Sequence, residues 1–245
     1  MHSGLAKLIS SLVASGCLFS AVAQEEEQER RHMERRLWLG GRITIAGNAQ
    51  VLPGKFTGTS TQPAGSLESE VKWTSGRFGA GPSLELRLLD RISLGLDLLH
   101  RGTAYRQEAT IKRTGGGEDV RITEKTRAGS WEGSAIARFG VGYQRWGGFR
   151  YFAGAGVAVR TLSGIRTTTE RQGLGDANCC DETPVRPAHR NALGFVASAG
   201  LRLRDDVGIK IIPEVRYTHW RDRSFDTFPV RSNPNQIEVV IGIVF

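Results

Sequence analysis

The stretch that decides the fold is Phe78-Gly79-Ala80-Gly81-Pro82-Ser83-Leu84-Glu85-Leu86-Arg87-Leu88. Every second residue is apolar, and the residues between them are small or charged. A period of two places successive side chains on opposite faces of an extended chain, so one face of this segment is apolar and the other is polar. The pattern therefore predicts a β-strand.

Seven further segments alternate in the same way. They span residues 37–46, 92–98, 131–139, 149–160, 193–203, 209–218 and 236–245. Across all eight segments the apolar face has roughly forty positions, and none of them is Asp, Glu, Lys or Arg. We expect an all-β protein in which these segments form an eight-stranded, antiparallel, up-and-down barrel.

The two faces also differ in size, which indicates which face points outward. The apolar face holds bulky Leu, Ile, Phe and Trp side chains, whereas the polar face is rich in Gly and Ser and carries charges of both signs. Small residues fit the interior of a narrow barrel, and bulky apolar residues suit lipid. A soluble sandwich or lipocalin-type barrel has the reverse arrangement. Since hydrocarbon offers no partner for backbone groups, strands cross it only as a closed sheet, so we predict a transmembrane barrel.

The connections between the eight segments alternate between long and short. The long connections span about 47–76, 103–129, 161–191 and 221–235, and the short ones about 89–91, 143–148 and 204–208. Outer-membrane barrels have short periplasmic turns and long extracellular loops. We therefore expect four long extracellular loops, with both termini in the periplasm.

Amphipathic aromatic residues lie near both ends of the predicted strands. They are Trp38, Tyr143, Trp146 and Tyr151 at the short-turn end, and Tyr105, Trp131, Tyr217 and Trp220 at the long-loop end. Such residues favour the two interfaces of a bilayer, so the set predicts two aromatic belts.

The N-terminal segment is typical of an export signal. Lys7 precedes an apolar stretch at 8–19, and Ala21-Val22-Ala23 forms a small-residue cleavage site, which predicts removal of residues 1–23. The alternatives are a membrane-anchoring helix, for which the stretch is short, and lipidation at Cys17. Residues 24–36 are charged throughout and predict a solvated periplasmic stub, so that the barrel domain is 37–245.

The composition excludes several other classes of protein. Of 245 residues, 39% are hydrophobic, and 33 Lys and Arg against 25 Asp and Glu give a net charge of +8, which is too apolar and too balanced for a disordered chain. There is no run of about 18 apolar residues of the kind that a helical membrane protein needs. Three cysteines are too few for a disulfide-built scaffold. The basic residues are dispersed along the chain, so we expect no nucleic-acid partner.

The chain ends on Glu238-Val239-Val240-Ile241-Gly242-Ile243-Val244-Phe245, which alternates and finishes on an aromatic residue. This ending resembles the C-terminal insertion signal of Gram-negative outer-membrane barrels, with Ile241, Ile243 and Phe245 as the assembly signal. Residues 37–245 as a whole resemble the small OmpA/OmpX-type eight-stranded barrels. The resemblance implies a Gram-negative outer-membrane location, recognition by the barrel-assembly machinery and a monomer. Nothing follows the last strand, so we expect no peptidoglycan-binding domain.

The inward face is expected to hold a network of charges. Its predicted members are Arg42, Glu85, Arg87, Asp97, Glu132, Arg138, Glu214, Arg216 and Glu238. Five acids against four bases are close to neutral, as a low-dielectric interior requires. Because eight strands enclose a space just wide enough for side chains, we interpret the network as a structural plug. The alternative is a narrow channel whose ion pairs exchange partners to let ions or solutes pass.

A lipid-A-modifying enzyme is the second alternative, because such barrels use a His with a Ser and an acid near the outer leaflet. The candidate residues at that end are His100, His219, Ser130, Ser224, Asp222 and Glu108. No spacing places a His and a Ser on one face, and both His residues lie in the outward phase. We therefore predict a protein that is not an enzyme and has no catalytic residues.

The third long loop carries adjacent cysteines, Cys179 and Cys180. Adjacent cysteines close only a strained ring, pair with another chain or stay free, and an oxidising compartment favours a disulfide of some kind. Two thiolates without a nearby ordered His make a poor metal site, so we expect no metal and no cofactor. Residues 115–117 are three glycines between two extended segments, and they predict a hairpin tip rather than a phosphate-binding loop.

Arginine is in large excess over lysine, 27 against six. The planar guanidinium binds phosphate through two hydrogen bonds, which suggests contacts with lipopolysaccharide phosphates through Arg101, Arg106 and Arg221. The expected partners are therefore outer-membrane lipid and lipopolysaccharide. The expected function is a structural or surface-interaction role carried by the four long loops.

Overall fold

The computed structural model describes residues 36–61, 64–74, 78–89, 91–113, 118–141, 149–173, 179–184, 186–204 and 209–245. The chain divides into a compact unit, Leu39–Phe245, and a preceding unit, Met1–Trp38, of which only 36–38 are described. The predicted signal peptide and nearly all of the charged stub therefore lie outside the described residues.

The described residues form fourteen β-strands. These are β1 (Leu37–Gly47), β2 (Val51–Leu52), β3 (Gly54–Thr61), β4 (Ala64–Trp73), β5 (Gly79–Arg87), β6 (Ile92–Arg113), β7 (Val120–Val141), β8 (Phe149–Gln172), β9 (Cys179–Pro184), β10 (Asn191–Arg204), β11 (Lys210–Trp220), β12 (Asp226–Thr227), β13 (Val230–Ser232) and β14 (Asn235–Val244). Within the part of the chain that the structure describes, no helix is long and apolar enough to cross a membrane.

Eight of the strands form a closed antiparallel ring. The order around it is β1-β5-β6-β7-β8-β10-β11-β14, and β14 pairs with β1 to close the sheet. Each ring strand overlaps one of the eight predicted segments, and the strands follow one another around the ring in chain order. The predicted eight-stranded, antiparallel, up-and-down barrel is confirmed.

Burial alternates along the ring strands as the period of two requires. In β10 each residue from Asn191 to Ala199 switches between exposed and buried. Large apolar side chains cover the outside of the ring, including Leu39, Ile43, Leu96, Leu98, Trp131, Phe139, Val157, Val159, Phe195, Val215, Ile237 and Ile243. We call this exposed surface the apolar belt.

The aromatic residues divide between the two faces, so the prediction of two belts is only partly right. Trp131, Tyr151 and Tyr217 are exposed on the outside of the ring, at 44%, 58% and 42%. Trp38, Tyr105 and Trp220 are instead buried, because each lies in the inward phase of its strand. The two remaining members of the set, Tyr143 and Trp146, are outside the described residues.

Three of the four long connections continue as strands rather than loops. β6, β7 and β8 extend past the ring, and β3, β4 and β9 pair with these extensions in the order β3-β4-β6-β7-β8-β9. We call this six-stranded extension the outer sheet. Gly164 lies where β8 leaves the ring. Its positive φ of 58°, which glycine adopts readily, accompanies a one-residue bulge in the pairing of β7 with β8.

An apolar cluster lies at the end of the ring from which the outer sheet extends. It consists of Val51, Val71, Tyr105, Leu162, Phe225 and Val230, all at most 8% exposed. The small sheet β12-β13-β2 carries two of these residues and links the first long connection to the last. We call the cluster the apolar cap.

Candidate functional site: the barrel interior

Charged side chains fill the inside of the ring. The buried members are Arg42, Glu85, Asp97, Arg101, Glu132, Arg138, Arg160, Arg202, Lys210, Glu214, Arg216 and Glu238, all at most 8% exposed. They occupy the inward phase of all eight ring strands, where the other inward-facing residues are mainly Gly, Ser and Thr. Eleven of these twelve residues form three clusters along the barrel.

The central cluster joins three arginines to two carboxylates. Arg42 Nε lies 2.9 Å from Asp97 Oδ1, and a second nitrogen of Arg42 binds Glu214. Arg138 Nη2 lies 3.2 Å from Glu214 Oε2 and 3.5 Å from Asp97 Oδ2. Arg216 Nε lies 2.9 Å from Glu214 Oε1, and Arg216 also binds Asp97. Because these residues come from β1, β6, β7 and β11, the cluster ties opposite walls of the barrel together.

Glycines leave the space that the central arginines occupy. A Cβ added to Gly95 would overlap Arg138 Nη1, and one added to Gly242 would lie 3.3 Å from Arg42 Nε. The guanidinium of Arg138 thus lies where a side chain of residue 95 would begin. At these two positions, glycine therefore leaves room for the guanidinium group of a neighbouring arginine.

A loop-end cluster lies between the central cluster and the apolar cap. Arg101 Nη2 donates to Glu132 Oε2 at 2.5 Å and to Glu238 Oε2 at 3.1 Å. Arg160 Nε donates to Glu132 Oε1 at 2.7 Å, and its guanidinium also binds Gln236. Gln236 in turn donates to Glu238. The two Arg and two Glu residues of this cluster balance each other in charge.

Trp220 forms one wall of the loop-end cluster. Its indole Nε1 donates to Gln236 Oε1 at 2.9 Å. The guanidinium carbon of Arg160 lies 4.0 Å from the centre of a Trp220 ring, within the range of a cation–π interaction. The indole N–H therefore has an acceptor, and the Arg160 guanidinium has an aromatic ring beside it. These two contacts explain why Trp220 points inward.

A turn-end cluster fills the other end of the barrel. Ser93 Oγ donates to Glu85 Oε1 at 2.9 Å, and Arg202 Nη2 donates to Ser93 Oγ at 2.9 Å as well as binding Glu85. The ring of Phe152 lies 5.5 Å from the guanidinium carbon of Arg202 and 5.7 Å from that of Arg138. Phe152 thus separates this cluster from the central one.

A small cavity remains between the loop-end and central clusters. Its volume is about 20 Å³, and Glu132, Glu238, Arg216 and Trp220 contribute to its wall. A cavity of this size accommodates one water molecule. It is too small for a hydrated ion or a solute.

The structure places eight of the nine predicted network residues in the buried interior, while Arg87 is only partly buried at the end of β5. Four further buried bases were not in the prediction: Arg101, Arg160, Arg202 and Lys210. All four lie in the inward phase, and the predicted third strand ended before Arg101. The expected near-neutral balance is corrected to seven bases against five acids among the described residues.

Among the three arginines expected to meet lipopolysaccharide, Arg101 is wrongly placed by the prediction. It is 5% exposed and bound to two buried carboxylates, because it continues the inward phase of Asp97 along β6. The Arg106 side chain is 41% exposed and pairs with Glu108 at 2.7 Å. Arg221 is exposed just after β11.

The structure places the candidate residues His100 and Ser130 on opposite faces of the ring. His100 lies on the outside of the ring with its ring 4.6 Å from that of Trp131, whereas Ser130 is fully buried on the inside. His219 Nδ1 lies 2.9 Å from Asn235 Oδ1.

The remaining candidates are Ser224, Asp222 and Glu108. Ser224 is buried, and its carbonyl accepts hydrogen bonds from Ala188 and His189. Asp222 is partly buried, and Glu108 is paired in the outer sheet.

The described residues contain no group of three or more His, Cys, Asp or Glu side chains arranged to hold a metal ion. β9 begins at Cys179 and pairs with β8. The side chains of Cys179 and Cys180, and hence the predicted disulfide, lie outside the described part of the structure. So do the three glycines predicted to form a hairpin tip, although the strands on either side of them pair as expected, with Thr110 opposite Arg121.

No protein-family model and no curated protein matches this sequence. Among solved structures, the chain is similar to Neisserial surface protein A (NspA), at 11% identity over 85% of this chain and 95% of that one, with a TM-score of 0.38. It is similar to the outer membrane protein OprG from Pseudomonas aeruginosa, at 11% identity over 86% and 96%, with a TM-score of 0.45. It is also similar to Ail, the attachment invasion locus protein of Yersinia pestis, at 10% identity over 86% and 100%, with a TM-score of 0.33. At these identities the likeness concerns the course of the backbone.

Proposed function

We propose that this protein is a small outer-membrane barrel of a Gram-negative bacterium, closed to solutes, which presents its outer sheet to the environment. Support for the membrane placement comes from the distribution of side chains. Apolar residues cover the outside of the ring, and ions fill its inside, which is the reverse of a soluble barrel. The closed sheet leaves no ring strand with an unpaired edge in the hydrocarbon.

Closure of the interior is the observation that carries the proposal. Three clusters of paired charges follow one another along the barrel, and the apolar cap lies beyond them. Thr103 Oγ1 donates to Gln50 Oε1 at 2.5 Å, which links the wall just above Arg101 to the first long connection. A barrel filled in this way acts as an anchor rather than a pore.

The orientation follows from the lengths of the connections. The outer sheet faces the exterior, and both termini lie in the periplasm, where the short turns are. Export depends on the predicted signal peptide, and assembly depends on the last strand. Ile243 and Phe245 are 48% and 63% exposed on that strand, and together with Ile241 they present the alternating apolar surface that the barrel-assembly machinery would bind.

Two experiments on the refolded, full-length barrel test the proposal. Unboiled protein should migrate differently from boiled protein in a detergent gel, because a folded barrel resists detergent until it is heated. In a planar bilayer it should show no steady conductance, whereas a 16-stranded porin inserted in the same way conducts. A steady current would contradict the closed barrel and favour a channel, in which the surplus of buried positive charge would select anions.

A mass spectrum of lipid A tests the enzymatic alternative. Cells with and without the gene should have identical lipid A, because the structure separates the candidate His and Ser side chains. A gene-dependent change in acyl chains or phosphates would contradict this part of the proposal.

A further inference from the structure

The outward face of the outer sheet carries five basic side chains directly beyond the apolar belt. They are Lys72 on β4, Arg106 on β6, Lys125 and Arg127 on β7, and Arg166 on β8. The side chains of Lys72, Arg106 and Lys125 are 53%, 41% and 37% exposed, and Arg127 and Arg166 are exposed as well. We call this set the cation band.

Strand register places like charges of the band directly opposite one another. Lys72 lies opposite Arg106, and Arg106 lies opposite Lys125 on the next strand. Arg127 lies opposite Arg166 in the adjacent row. Like charges in directly opposite positions destabilise a sheet. The three opposed pairs therefore destabilise the outer sheet by charge repulsion. An anion bound between them would reduce this repulsion.

Carboxylates near the band lie on its far side, away from the belt. Lys72 Nζ is 2.9 Å from Glu70, and Lys125 Nζ is 2.7 Å from Glu170. Arg106 Nε is 2.7 Å from its acid, Glu108, in the same row as the other two acids. The face thus changes from apolar to basic to acidic with distance from the ring.

Among the described residues, the row of the band nearest the belt contains no acid. Its directly opposed residues are Ala104, Arg127, Arg166 and Pro184. Trp131, at the edge of the belt, lies four residues from Arg127 along β7, which corresponds to about 13 Å of extended strand. Since strands are tilted in such barrels, the height above the belt is less than this. That is the level at which the head groups of a bilayer begin.

We propose that the cation band binds the phosphate groups of lipopolysaccharide in the surrounding outer leaflet. This inference rests on the membrane placement proposed above. Arg127 and Arg166 are on adjacent strands about 5 Å apart, so their guanidinium groups can hold one phosphate between them, each through two hydrogen bonds. Arg106 and Lys125, one row farther out, can hold a second. We therefore assign lipid-phosphate binding to the cation band and not to Arg101, which is buried.

A retention assay tests this inference. Full-length protein is refolded into phosphatidylcholine vesicles that contain either lipopolysaccharide or the same lipid treated with phosphatase, and the lipid retained per barrel after a detergent wash is measured. The test variant is Arg127→Gln with Arg166→Gln. The matched control is Lys112→Gln with Arg121→Gln, two cations of the same face that lie farther from the belt.

The test variant should retain lipopolysaccharide on the order of tenfold more weakly than wild type, because each basic residue near an anionic surface contributes several-fold in affinity. The control should resemble wild type, and phosphatase treatment should remove the difference between them. Equal retention by wild type and the test variant would overturn the inference. An equal loss in the control would overturn it too, as would retention that is independent of lipid phosphate.

Two further measurements separate the possible failures. Millimolar inorganic phosphate should displace little lipopolysaccharide, and full displacement would show that free phosphate, not lipid, is the ligand. The heat-dependent gel shift is recorded for each vesicle sample. Absence of the shift in wild type would contradict the membrane barrel itself, whereas a normal shift without lipid preference would overturn only the role of the cation band.

Discussion

The barrel interior and the outer sheet use the same kinds of ion pair in opposite surroundings. In the interior, the Arg138–Glu214 pair has both side chains at 0% exposure. In the outer sheet, Lys112 and Glu68 pair at 3.0 Å with side chains 53% and 54% exposed. The charged groups of the interior contact one another in place of water, whereas those of the outer sheet remain hydrated. The interior pairs are therefore obligatory parts of the fold, and the outer pairs can exchange partners with a ligand.

The energetic consequence differs in kind as well as in size. Taking a charge out of water costs several kcal/mol, and a buried pair recovers that cost only with good geometry and additional hydrogen bonds. Removing one partner then leaves the other charge buried and uncompensated. An exposed pair is screened by water and salt, so removing one partner costs little. Substitutions of one acid in each region test this contrast directly.

The largest effect is expected from Glu214→Ala. This change leaves Arg42, Arg138 and Arg216 with only one carboxylate, Asp97, in the central cluster. Breaking a buried ionic group costs about 3–5 kcal/mol, so we expect the free energy of unfolding to fall by about that amount. Urea unfolding of the barrel in lipid vesicles, followed by tryptophan fluorescence, measures it.

Glu68→Ala is the matched control in the outer sheet, since it also removes a carboxylate from an ion pair. We expect no change in the unfolding transition of the barrel beyond experimental error. If both variants had the same stability, the interior clusters would not be the obligatory filling described here.

A smaller effect is expected from Gly95→Ala on β6. The new methyl group occupies the position of the Arg138 guanidinium, which is the flexible end of a side chain but is held by two carboxylates. Overpacking of this kind costs about 1–3 kcal/mol, measured by the same urea titration.

Gly102→Ala on the same strand is the control, because no atom lies within 4 Å of the added Cβ. We expect its effect to stay within about 0.5 kcal/mol. Equal effects at the two glycines would show that the loss reflects glycine in a strand generally, rather than the space that Arg138 requires.

The ring could be predicted from sequence because its strands meet two different environments. In β10, residues 193–203 alternate between lipid-facing and interior positions, and each position restricts the residue type. The outer sheet meets water, so its residues are not restricted in this way. β3, with the sequence Gly-Lys-Phe-Thr-Gly-Thr-Ser-Thr, shows no regular alternation of apolar and polar residues. Its pairing with β4 depends on neighbouring strands that no local pattern reveals.

The interior site was predictable only as a set of residues on a face. The alternation identified Glu214 and Arg138 as inward-facing, but their contact depends on closure of the ring, which brings β7 and β11 to face each other. The same alternation would have identified Arg101 and Trp220 as inward-facing. Their charge and aromatic character suggested the lipid interface instead, and the structure shows that the phase of the strand is the stronger guide.

The smallest effect is expected from the pH dependence of the outer sheet. A hydrogen bond from Lys125 and the charge of that ammonium hold the pKa of Glu170 below its usual value of 4.5. A carboxyl whose pKa is lower in the folded state stabilises that state above the unfolded pKa and loses its contribution as the pH falls through the folded pKa. The protection factors of the amides in β8 residues 166–172, taken relative to the intrinsic exchange rate at each pH, should therefore fall below pH 4.5.

The Lys125→Gln variant isolates this contribution. Without the ammonium, the pKa of Glu170, followed by its side-chain carboxyl chemical shift, should rise toward 4.5, and the acid-induced loss of protection in residues 166–172 should shrink. Because the pair is exposed, salt should have the same effect in the wild type. Exchange in β10, which borders the buried clusters, should not change with either treatment. A concerted change in β8 and β10 would mean that the outer sheet and the barrel interior unfold as one unit. That result would contradict the conclusion that ion pairs act independently in the two regions.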